Sequence, residues 1–172
     1  MDALVVYESM FGNTRKIAEA VAEGLATRMR AEVTEVGTAP SHVGPEIALL
    51  VVGGPTHAFS MSRASTRRSA AEQAAGPLVS QGRGVREWLA ALSTSSAALG
   101  SAAFDTRVAK PRLPGSAAQA VARRLRRLGI RSVAPVQSFY VTGTQGPLVE
   151  GELDRARRWG ESLAASFPVP AP

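Results

Sequence analysis

A chain of 172 residues, 45% of them hydrophobic and with a formal charge of +6, is long enough to bury a substantial core as one soluble globular domain. It contains no cysteine, which excludes disulfides, thiol catalysis and cysteine-held iron–sulfur clusters. The segment 1–4 has no basic character and leads straight into a strand, and the apolar run 47–52 is too short to cross a bilayer, so the expectation is a cytoplasmic protein with no signal peptide and no membrane association.

Residues 3–7 read as a buried strand, and 13–28 as a helix with Ile17, Val21, Ala22 and Leu25 on one face. A second strand covers 32–36. Between 37 and 46, Pro40 and Pro45 leave room for no more than a short helical turn. Residues 47–52 are apolar throughout, the pattern of a strand covered on both faces, and belong at the sheet centre. The stretch 53–84 is largely irregular, with a short helix expected over 70–75. A helix over 85–92 turns Trp88 and Leu92 inward, and 101–108 form the fourth strand. The next helix, 116–128, is capped by Ser116 and closed by Gly129; its core stripe is Ala117, Val121, Leu125 and Leu128, with its arginines opposite. A fifth strand over 132–141 is irregular near Pro135, and the last helix spans 148–166. Five strands joined by crossovers of ten or more residues imply one α/β domain, residues 1–166, built on a doubly wound parallel sheet. Residues 167–172 are expected to be a flexible tail.

The junction of the first strand and first helix carries the most chemistry. It reads Ser9-Met10-Phe11-Gly12-Asn13-Thr14. The first N–H groups of a helix lack intrahelical partners, and the helix dipole adds positive potential there, so this loop can hold a phosphate without a cation. A Walker A loop would need a lysine after the glycine, a dinucleotide fingerprint would need three glycines, and a cysteine phosphatase loop would need a thiolate. What remains is Ser/Thr-x-x-Gly-x-Thr. An ordinary N-cap draws on the same residue types.

This loop resembles the FMN phosphate loop of the flavodoxin-like family, usually Ser/Thr-x-Thr-Gly-x-Thr, in its Ser-x-x-Gly-Asn-Thr variant; Phe11 stands where the central threonine is usual. The resemblance implies a flavodoxin-like three-layer sandwich with strand order 2-1-3-4-5. It also implies a ligand site at the C-terminal ends of strands 1, 3 and 4. The third strand ends in Gly53-Gly54-Pro55-Thr56-His57-Ala58-Phe59, similar to the family's second flavin loop. By that likeness Pro55, Thr56 and His57 line the isoalloxazine ring and Phe59 stacks on it; a plain Gly/Pro turn is the alternative. The fourth strand ends in Asp105-Thr106-Arg107, without the tyrosine usual in the third flavin loop, since Tyr7 and Tyr140 lie elsewhere. Asp105 either accepts a hydrogen bond from the flavin N3–H or caps a turn, and Thr106 joins it at the ring. The segment 143–148 reads as a helix start.

The implied function is an FMN-binding protein that mediates electron transfer through bound flavin, the cofactor held by Ser9, Met10, Phe11, Gly12, Asn13 and Thr14 and framed by Pro55, Thr56, His57, Phe59, Asp105 and Thr106. No residue stands out as catalytic and no metal site is expected; His57 is the one plausible proton donor near the ring. Two alternatives stand beside it: a flavin-free basic interaction module, and an NAD(P)H- or quinone-dependent FMN oxidoreductase whose second-substrate site the 60–84 segment caps. Eight basic and no acidic residues lie from Arg107 to Arg131. That charge points to a redox partner protein with an acidic docking surface. Nucleic acid is not expected, because no aromatic residues interleave with Arg123, Arg124, Arg126 and Arg127. Arg63, Arg67, Arg68 and Arg107 are expected beside the ring, where their charge favours reduced flavin.

Overall fold

The computed structural model describes residues 1–168. Its parallel sheet is built from β1 (Asp2–Tyr7), β2 (Arg30–Glu35), β4 (Ile47–Pro55), β6 (Gly100–Val108) and a fifth position shared by β7 (Arg131–Ser132) and β8 (Gln137–Val141). The order is β2-β1-β4-β6, with β7 and β8 both pairing β6. This is the expected 2-1-3-4-5 arrangement, its fifth strand interrupted around Pro135. A minor two-residue pairing joins β3 (His42–Val43) to β5 (Ser93–Thr94). Its β3 strand lies within 37–46, where the prolines leave room for no more than a short helical turn.

Period-two alternation sends successive strand residues to opposite faces of the sheet. Ala3, Val5, Leu49, Val51, Ala102 and Phe104 pack under α1 (Asn13–Leu25) and α5 (Glu152–Ala165). Leu4, Val6, Leu50, Val52 and Ala103 pack under α3 (Val85–Ala91) and α4 (Ala117–Arg127). The three layers follow from that split. Phe104, Phe139 and Trp159 form an aromatic cluster with ring centroids 6.0–6.1 Å apart. α1 and α5 meet through two glycines: a Cβ on Gly160 would overlap the Val21 carbonyl, and one on Gly24 would overlap the Arg157 carbonyl.

Several expectations shift. α4 ends at Arg127, so Leu128 is a C-cap residue; its N–H bonds to Arg124 O and Leu125 O, and the side chain is exposed instead of completing the core stripe. α2 spans Ala64–Gln73, earlier and longer than the expected 70–75, because Thr66 Oγ1 accepts the Arg63 N–H (2.9 Å) and starts the helix there. Trp88 and Leu92 face inward as expected. Of the expected tail, Phe167 packs against the α1/α5 face of the core, and 169–172 lie outside the described residues.

Candidate functional site

The C-terminal ends of β1, β4 and β6 open on one cavity of about 300 Å³. From the first loop, Ser9, Met10, Phe11, Asn13 and Thr14 line it. Gly12 shapes that loop at φ +97°, a conformation glycine adopts without a Cβ penalty, and its N–H donates to Ser9 Oγ (3.0 Å). The first helical bond runs from Lys16 N–H to Gly12 O (3.1 Å), so the N–H groups of Asn13, Thr14 and Arg15 precede the intrahelical ladder. Ser9 Oγ, already accepting from Gly12, keeps its own proton to donate. Thr14 Oγ1 and Thr106 Oγ1 lie 2.7 Å apart, joining the first loop to the end of β6. One hydroxyl of that pair donates to the other, leaving one proton for a ligand oxygen. Together these groups form a donor-rich concavity at a helix N-terminus, suited to an anion.

The loop is braced from behind. Ser9 N–H donates to Ser80 Oγ (2.9 Å), Ser80 N–H to Ser9 O (2.8 Å), and Val79 N–H to Met10 O (3.0 Å). Glu8 is 1% exposed; its carboxylate accepts from Val85 N–H (2.7 Å) and Ser62 Oγ (2.5 Å). Burial pushes its pKa up, against the pull of those hydrogen bonds and Arg67.

The cavity is further lined by Pro55 at the end of β4 with Thr56, His57 and Ala58 after it, and by Thr106, Arg107 and Val108 from β6, Thr106 standing beside Thr14. His57 Nδ1 lies 3.1 Å from Thr66 Oγ1. Burial, aided by the charge of Arg67, lowers the His57 pKa and favours the neutral ring. Three residues expected to touch a ligand stand apart from the lining. Gly12 acts through backbone shape. Phe59 turns out to solvent at a hairpin tip. Asp105 points to the α4 side: its Oδ2 accepts from Ser116 Oγ (2.5 Å), Thr56 Oγ1 (3.1 Å) and Ala118 N–H (3.1 Å). Its carboxylate therefore holds α4, whose N-cap is Ser116, and the Thr56 loop together.

Of the arginines expected here, Arg107 alone lines the cavity among the described residues, and its guanidinium donates to the carbonyls of Gly115 (2.8 Å) and Leu113. Arg67 instead pairs with Glu87 (2.5 Å). No carboxylate lines the cavity among the described residues.

One wall comes from the 60–84 segment, which the sequence reading placed at the site only as the cap of a second substrate and without naming its residues. α2 contributes Thr66, Ser69, Ala70 and Gln73, and the loop before α5 contributes Thr144. α2 is seated by an apolar cluster of Ala70, Met10 and Leu78. Gln145 Nε2 donates to Gln73 O (3.0 Å), joining α2 to the Thr144 loop; α5 begins only at Glu152, so residues 143–148 are a loop of the cavity wall instead of the expected helix start.

No protein-family model and no curated protein matches the sequence. Solved structures do match in shape. Flavodoxin 1 from Bacillus cereus aligns with a TM-score of 0.70 at 14% identity, covering 98% of this chain and 100% of that one. The fold is that of the flavodoxins. Flavodoxin 2 from Bacillus cereus aligns at 0.68 with 18% identity, over 97% of this chain and 100% of that one. A flavodoxin from the domain Archaea aligns at 0.62 with 20% identity, over 96% and 97%. In this flavodoxin fold the cavity lies outside the carboxyl ends of the strands, at the position the topology assigns to ligands.

Proposed function

We propose that the cavity binds FMN and that the protein serves electron transfer through it. The supporting observation is one continuous cavity: the Ser9–Thr14 loop, with its unengaged helix N–H groups, opens onto the same space as the ends of β4 and β6. The donor set suits a phosphate dianion at one end. Beyond it, Pro55, Thr56 and His57 form walls for a flat ring, with Thr106, beside Thr14, between the two. Bound flavin would supply the one- and two-electron chemistry; the protein supplies binding, orientation and electrostatics.

Each wall has a definite task. Ser9, Thr14 and the N–H groups of Asn13 and Thr14 hold the phosphate. Thr56 is fixed at both lone-pair and proton: its Oγ1 donates to Asp105 and accepts the Ala117 N–H (3.1 Å). Neutral His57, its Nδ1 turned to Thr66, can present Nε2 to the ring edge and exchange a proton there. α2 covers the site with threonine, serine and glutamine side chains instead of a stacked aromatic, Phe11 being the one aromatic in the lining among the described residues. That polar wall favours a second reading, an oxidoreductase that admits a small quinone beside the flavin.

The test is FMN addition to purified protein followed by desalting. Retained flavin colour in equimolar amount supports the proposal, and a colourless protein at saturating FMN contradicts it. Steady-state NAD(P)H consumption with a soluble quinone then separates the oxidoreductase from the carrier.

A further inference from the structure

Two loops at the cavity mouth present apolar side chains to solvent. Residues 57–60 close a tight hairpin through His57 N–H to Ser60 O (2.8 Å) and Ser60 N–H to His57 O (3.0 Å). Both tip residues are left-handed, Ala58 at φ +45° and Phe59 at +71°, positions that glycine and asparagine fill with less strain. Phe59 is nevertheless 52% exposed, so burial of its ring does not compensate that strain. The second loop, 109–116, leans on the first. A Cβ on Gly115, itself at φ +84°, would overlap the Phe59 carbonyl. Arg107 pins this loop by donating to the carbonyls of Gly115 and Leu113. Leu113 is also 52% exposed, and Lys110 and Arg112 beside it in the loop are exposed.

The chain segments that carry this pair hold charge of one sign. Residues 47–71 and 106–149 contain no aspartate or glutamate, and these spans include both loops. The first loop supplies His57 and Ala58 to the cavity wall, and Arg107, which pins the second, lines it from the end of β6.

We propose that Phe59 and Leu113, flanked by Lys110 and Arg112, form the docking surface for an acidic partner protein that exchanges electrons with the site. The proposal rests on the FMN reading for the purpose of docking, though not for its geometry. Apolar anchors held by braced loops lose little conformational freedom on binding, and the basic rim steers an acidic face toward them. An anionic membrane would attract the same charge. Two apolar side chains on separate short loops do not make the continuous apolar face that interfacial insertion uses, so a protein surface fits better.

The test immobilises the full chain without added FMN and uses an acidic plant-type [2Fe–2S] ferredoxin as the probe. Binding is expected at low salt and should weaken at least about tenfold near physiological ionic strength. Phe59→Ala and Leu113→Ala should each weaken it by roughly fivefold or more. Arg112→Glu should weaken it further, whereas Arg123→Glu with Arg127→Glu, on α4, should leave it intact. Circular dichroism checks that each variant is folded. Absent ferredoxin binding, binding indifferent to Phe59→Ala and Arg112→Glu, equal binding of a basic cytochrome c, or capture of phosphatidylglycerol vesicles in place of the ferredoxin overturns the proposal. Flavin retention is measured separately on the wild-type chain, so loss of the FMN reading and loss of the docking surface are distinct results.

Discussion

Replacing Asp105 tests whether its carboxylate is a structural clasp. The side chain is fully buried, and Oδ2 alone receives the Ser116 hydroxyl, the Thr56 hydroxyl and the Ala118 N–H. Hydrogen bonds to a charged group contribute about 1.5–3 kcal/mol each, net. Asp105→Ala orphans three donors, but water and rotation of the two hydroxyls toward other acceptors re-satisfy part of the loss, while Ser116 Oγ and Thr56 Oγ1 keep the bonds they accept from Gln119 N–H and Ala117 N–H. The expected destabilisation is about 3–5 kcal/mol, in the range for breaking a buried charged interaction. For a chain of this size that lowers Tm by roughly 6–20 °C. Asp105→Asn should cost less, about 1–3 kcal/mol: its amide oxygen can replace Oδ2, but its NH2 takes the place of Oδ1, which has no partner. Urea unfolding by circular dichroism measures both. A loss under about 1 kcal/mol for Asp105→Ala, or an Asn variant weaker than the Ala variant, refutes the clasp.

Further outcomes follow from other contacts. Gly160→Ala should destabilise by about 1–3 kcal/mol despite alanine's better helix propensity, because the methyl meets the α1 backbone; a Tm rise in calorimetry contradicts that packing. Thr14→Val and Thr106→Val should each cost about 1–3 kcal/mol by orphaning the other hydroxyl, and the double variant should cost less than the sum; an additive double-mutant cycle contradicts the pair. The fold raises the Glu8 pKa, so the native state holds that proton more tightly than the unfolded chain. Its contribution to stability therefore falls as pH rises from about 4.5 through the native value, and Glu8→Gln should remove that decline from a pH series of urea midpoints; an unchanged slope contradicts it. With FMN bound, a cavity lined by no carboxylate among the described residues opposes reduced flavin less than an acidic site does, so potentiometry should give a less negative final couple than in acidic flavodoxins; an equally negative one contradicts that electrostatic account.

Much of this was legible in the chain. The apolar strands and their crossovers carried the parallel, doubly wound sheet, the flavodoxin-like resemblance carried its order, Ser116 and Gly129 bracketed α4, and the Ser9–Thr14 loop located part of the cavity. α2 was underread because its one buried residue is Ala70, so no apolar stripe announced it. The direction of Asp105 was available in the strand alternation. Phe104 and Ala102 pack under α1 and α5, which leaves Ala103 and Asp105 facing α4 and Thr106 facing the cavity. Phe59 escaped because a hairpin tip of alanine and phenylalanine runs against turn preferences, and nothing in residue type turned its ring outward. Arg67 was read by proximity in sequence; its partner Glu87 comes from another helix.

The central claim is that the Ser9–Thr14 loop grips the phosphate of FMN, and riboflavin is the same flavin without that phosphate. Fluorescence-quenching titration of the protein with each ligand compares them directly. Two or more charge-assisted hydrogen bonds to the phosphate predict FMN binding at least about 100-fold tighter than riboflavin. Equal affinities, or no quenching by FMN, would contradict the account.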